Sequence, residues 1–94
     1  MGETKFTPGP WTFEGRTIYA LEEAGWRRGE PVMRNRFDCS VQGPFCPDAE
    51  KQANAHLIAA APDLYDALDY LLNDDTHDAR EQARAALAKA RGEA

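Results

Sequence analysis

Four side chains in this 94-residue sequence are of types that hold transition metals or pair as nucleophile and base: Cys39, Cys46, His56 and His77. Zinc sites draw their ligands from close pairs such as CxxC. Here the two cysteines stand seven positions apart across Gly43 and Pro44, and both histidines are distant from them and from each other. This spacing predicts no metal centre and no cofactor; small, partly buried, reduced thiols are expected instead. Ser40 has no GxSxG elbow around it. His56 has no acid near it in sequence to orient it as a base. The segment GPFCPD lacks the glycine spacing of a phosphate cradle. No catalytic residue is assigned, and the chain reads as non-enzymatic.

Two charged groupings remain. Asp66, Asp69, Tyr70 and Asn73 fall at i, i+3, i+4 and i+7 of a helical stretch, opposite its leucines, and Asp74, Asp75 and Asp78 extend the patch. Neither Asp66 nor Asp69 has a Lys or Arg four residues later. The plain account is a solvated face that keeps a small protein soluble. The functional account is a contact for a protein with a basic or nucleic-acid-binding surface. The second grouping is Arg27, Arg28, Arg34 and Arg36 beside Trp26. Guanidinium forks suit phosphates and carboxylates, so this cluster is the alternative, anion-binding site, with a nucleotide signal as its ligand. Trp26 with Arg27 and Arg28 also has the composition of an interface anchor. The plain accounts are pairing with Glu22, Glu23 and Glu30, and Trp26 folding back over a sheet.

The elements that would carry these groups divide the chain in two. One domain, 1–94, is expected: an extended arm over 1–10, an antiparallel meander over 11–46 and a helical part over 47–94. Trp11–Glu14 alternates as a strand, Gly15 turns, and 17–21 (TIYAL) returns. The stretch 22–31, with two glycines, a proline and five charges, reads as an exposed loop. Strands over 32–37 and 39–42 complete a sheet of three or four strands, with Cys39 and Val41 inward. A first helix is predicted from about Pro47 or Asp48 to Ala60, buried through Ala53, Leu57 and Ala60. Pro62 cannot continue it and instead opens a second helix, with Asp63 at the positive end. Leu64, Ala67, Leu68, Leu71 and Leu72 form its apolar stripe. After a break at 74–76, with Asp75 or Thr76 as N-cap, a third helix runs from about His77 to Arg91, with Gly92 as C-cap. The fold class is α+β, with both helices of the Pro62 corner packed on one sheet face.

Composition narrows the function. Residues 1–47 carry six acids and six bases, whereas 48–94 carry ten acids and five bases, so the helical half holds the whole net charge of −5. Direct binding to duplex nucleic acid is disfavoured by that balance. No apolar run approaches the roughly 20 residues of a membrane span. The N-terminus has no apolar signal core, and a cytosolic protein is expected. A chain this short buries a modest core, which leaves self-association open.

Two stretches carry a resemblance. Thr7–Trp11 reads TPGPW, and Ala53–Leu68 reads ANAxLIAAAPDLxxAL with His56, Tyr65 and Asp66 at its variable positions. In these motifs and their order the chain resembles small phage and prophage accessory proteins. The resemblance implies a viral origin, action in the cytoplasm of an infected bacterium, and a non-structural role such as host takeover or an anti-CRISPR-like block on a defence component. The partner it implies is a host protein. A virion assembly role is the remaining alternative. The segment 22–47, longer and richer in Arg and Trp than the resemblance implies, is the expected place for any function particular to this chain.

Overall fold

The computed structural model describes residues 5–93; the first four residues of the expected N-terminal arm lie outside that range. Three strands, β1 (Thr12–Glu14), β2 (Thr17–Arg27) and β3 (Glu30–Ser40), precede three helices, α1 (Asp48–Ala59), α2 (Ala61–Asn73) and α3 (His77–Ala90). The sheet is antiparallel in the order β1-β2-β3. This is the expected α+β arrangement, with three strands, because 32–37 and 39–42 belong to one continuous strand.

The stretch 22–31 is corrected from loop to hairpin. β2 and β3 pair from Thr17↔Ser40 out to Arg27↔Glu30. Arg28 (φ 54°) and Gly29 (φ 80°) form the two-residue connection. Two successive positive φ values are the pattern whose twist matches a tight hairpin. Two register irregularities bend the pair. One makes Arg36 an extra residue on β3; the other leaves Ala24 and Gly25 opposite Val32 alone, with Gly25 at φ 118°.

Within the hairpin, burial is confined to its base. Ile18, Ala55 and Ala59 form the core, with Trp11, Phe13, Phe37, Cys39, Val41 and Ile58 packed around them. The inward placement expected of Cys39 and Val41 holds. At α1 the expected Ala60 is buried, but along the helix Ala55 and Ala59 face inward rather than Ala53 and Leu57, and Leu57 is exposed. The helix turns its small residues to the sheet because alanine permits the close approach that leucine would block.

The packing of the Pro62 corner is also corrected. α1 alone covers β1 and β2, while α2 packs on α3 and on the end of α1. The expected α2 stripe splits accordingly: Ala67 is buried, Leu64 and Leu71 are half-buried, and Leu68 and Leu72 face solvent. Local signals at helix ends held. Pro62 lies in the first turn of α2. Thr76 caps α3, its Oγ1 accepting from Ala79 N–H at 3.2 Å. Gly92 (φ 77°) closes α3, with Gly92 N–H donating to Lys89 O and Glu93 N–H to Ala88 O.

Gly9 and Pro62 bring the two recognisable stretches together. A Cβ on Gly9 would stand 3.0 Å from the Pro62 ring. Nearby, Lys89 Nζ donates to Asp63 Oδ2 at 2.7 Å and to Trp11 O at 3.3 Å. Trp11 Nε1 donates to Thr7 O at 3.0 Å, and Phe6 meets Tyr65 edge-on. Their residue types are therefore explained by mutual packing.

Candidate functional site

α2 and α3 run side by side because α3 has alanine at six of its 14 positions, with Ala79 and Ala86 buried. Small side chains let the helices approach, and an open groove forms along the seam. One stretch of it, about 320 Å³, is lined by Asp63, Asp66, Gln82, Ala85, Ala86 and Lys89. The adjoining stretch, about 420 Å³, is lined by Asp66, Asp69, Tyr70, Asn73 and Gln82. Asp66 and Gln82 belong to both, so the groove is continuous.

The structure thus brings Asp66, Asp69, Tyr70 and Asn73 together, as the helical spacing predicts. Rather than standing free on an outer face, they form one wall of a groove whose other wall is α3. Asn73 is fixed there by donating to Asp69 O at 2.7 Å and Asp69 Oδ1 at 3.2 Å. Among the described residues, Asp66 and Asp69 enter no ion pair. Asp74 and Asp75 lie beyond the helix end and do not line the groove. Asp75 is held by Arg80, whose Nε and Nη2 donate at 3.0 and 3.2 Å. This hydrogen bond, reinforced by the Arg80 charge, keeps the Asp75 carboxyl below its ordinary range and raises Arg80 in turn.

The arginines do not form one cluster. Arg34 Nε donates to Glu22 Oε2 at 2.7 Å and Arg36 Nη1 to Glu22 Oε1 at 3.0 Å. The extra residue on β3 brings both guanidinium groups to one carboxylate. The Arg34 hydrogen bond is the main cause of a Glu22 pKa below the usual value. Arg27 and Arg28 sit at the hairpin turn, about 16 Å further along the strand at ordinary strand rise. Trp26 does not cap the sheet: it is 67% exposed beside the turn.

Among the described residues no three His, Cys, Asp or Glu side chains gather as a metal site. Cys39 and Cys46 are free thiols. His56 packs against the edge of Phe13, with ring centroids 4.5 Å apart. It lines a cleft of about 510 Å³ with Pro10, Trp11, Thr12, Phe13, Ala59 and Lys89. In that cleft the Lys89 ammonium is already bound to Asp63 and to the Trp11 carbonyl. No helix among the described residues is long and apolar enough to cross a membrane.

Gln82, Asp63 and Lys89 were not among the residues singled out for the groove. The alanine spacing of α3 is the signal that α2 would have a close neighbour, and Gln82 is the polar residue this spacing leaves at the seam.

Comparison with known proteins supplies the lineage. A family model described as Salmonella phage P22 protein Y8K6 matches residues 1–94. The chain belongs to that family. It is a small phage protein, as the resemblance implied. No curated protein and no solved structure matches it.

Proposed function

We propose that this phage protein is a non-catalytic binder that acts in the cytoplasm of the infected bacterium. Its target is a host protein, which it inhibits by occupying a basic or nucleic-acid-binding surface. The target belongs to a bacterial defence system, which makes the protein a counter-defence factor. The contact is the α2–α3 groove. The observation that supports this reading is the convergence of Asp66, Asp69, Tyr70 and Asn73 on one open groove that Gln82 closes.

Two carboxylates outside any ion pair among the described residues, a phenol and two amides offer acceptors at several angles. That set suits a lysine or arginine side chain laid along the seam. Because the acids stand at a surface, their attraction speeds encounter and weakens with salt. An anion-binding role is less well supported, because Arg34 and Arg36 are already engaged by Glu22.

Affinity capture from host lysate tests the proposal, using the wild-type chain and an Asp66→Asn, Asp69→Asn double variant. The expected result is a basic partner captured by the wild type, released by salt and at least tenfold depleted with the variant. Equal capture by both proteins at every salt concentration would overturn the assignment of the groove.

A further inference from the structure

Two apolar surfaces of this chain are left without an explanation by the groove. On α2, Ala61, Tyr65, Leu68 and Leu72 follow at i, i+4, i+7 and i+11, a single exposed stripe in which Leu68 is 61% and Leu72 80% accessible. On the hairpin, every residue of β2 beyond Glu22 and every residue of β3 before Phe37 is exposed. That distal ribbon presents Trp26, Val32 and Met33, with Leu21 exposed just before it. Such surfaces on a soluble chain mark contacts.

The dimensions say how much contact is missing. A folded monomer of this size is expected to expose about 5,400 Å², whereas the chain exposes 7004 Å². Its radius of gyration is 15.5 Å, against about 12 Å for a compact domain of this length. The surplus surface, about 1,600 Å², exceeds the roughly 800 Å² that one partner contributes to a standard stable interface. The core is correspondingly slight, with Ile18 the one large side chain fully buried among the described residues.

We infer that the α2 stripe of one copy is covered by the β2–β3 ribbon of a second copy, reciprocally, in a two-fold dimer. The two surfaces belong to the same chain, and reciprocal exchange leaves neither exposed. Their charges agree. α2 carries no base, and its Asp69, between the stripe and the groove, enters no ion pair among the described residues. At the ribbon's turn, Arg27 and Arg28 enter no ion pair among the described residues. Pairing one α2 with another would instead set aspartates against aspartates. The apolar stripe and the groove lie on different sides of α2, and only Asp69, at the margin between them, is common to the two contacts.

The test is mass measurement by light scattering during size exclusion, at tens of micromolar. The wild type is expected at twice the chain mass. Trp26→Glu and the double variant Leu68→Glu, Leu72→Glu are each expected at the monomer mass with unchanged helical circular dichroism. An equimolar mixture of the two variants is expected to recover a dimer, because one ribbon and one stripe remain intact. Three results would each overturn the proposal: a monomeric wild type; a dimer that survives Trp26→Glu, which would mean stripe-to-stripe packing; or a mixture that stays monomeric.

Discussion

The base of the molecule and its hairpin ribbon are built on opposite terms. At the base, Gly9 lies on Pro62, Lys89 ties α3 to Asp63 and Trp11, and Ile18 fills the space between sheet and α1. Every distinctive residue there has a packing partner. In the ribbon, paired strands continue out to Arg27 and Glu30 with neither face covered. The most recognisable sequence therefore specifies the scaffold. The surfaces left for recognition carry weaker signals: the ribbon, the outer stripe of α2 and the groove beside it.

Substitutions should divide along this line. The largest effect is expected at Ile18. Ile18→Ala should lower unfolding free energy by about 3 kcal/mol, whereas Met33→Ala should change it by less than about 0.5 kcal/mol. Denaturant titration at sub-micromolar protein checks both, and comparable losses would erase the contrast. Next comes Gly92→Ala. It forces a left-handed φ on a residue with a Cβ and sets that Cβ 2.8 Å from the His56 ring. A loss of about 1–2 kcal/mol is expected in thermal unfolding.

A gain is expected at the ribbon turn. Arg28 holds a positive φ that asparagine adopts more readily. Arg28→Asn should stabilise the fold by about 0.5 kcal/mol, and a loss would mean the Arg28 side chain makes a contact of its own. The smallest effect concerns pH. Glu22 is held below its ordinary pKa, chiefly by the Arg34 hydrogen bond. Its contribution is therefore complete above the ordinary glutamate range and fades as pH falls through the lowered value. Carboxyl chemical shifts should show Glu22 titrating below the ordinary glutamate range, and Arg34→Gln should move it back up.

Much of the base was legible because its signals are local. Pro62, Thr76 and Gly92 each act through their own turn, so the helix boundaries follow from the chain without knowledge of the neighbours. The ribbon was not legible. Alternation of apolar and polar residues arises where one face of a strand is buried, and residues 22–31 bury neither. Gly25 and Gly29 serve a bulge and a turn inside a continuous hairpin, yet they read as loop punctuation.

The helix faces were legible in part: Ala60 and Ala67 are buried as their period predicts, whereas several leucines are not. Leu57, Leu68 and Leu72 match an inward period, but the close approach of α1 to the sheet and of α2 to α3 selects Ala55, Ala59, Ala67 and Ala86 for the interior. Periodicity gives an apolar stripe; it does not say whether the stripe meets its own chain or another. The four groove residues on α2 were placed correctly along the helix, while the wall that makes them a groove depends on tertiary packing.

Backbone hydrogen exchange at two protein concentrations measures the contrast most directly. The amides of Ile18 and Ala20 and those of α1 should exchange at the same slow rates at both concentrations, because the base is complete within one chain. The amides of Leu21 to Trp26 should slow markedly as concentration rises, as the ribbon acquires its cover. Ribbon amides that exchange slowly and equally at both concentrations would contradict this division and make the ribbon part of the self-contained fold.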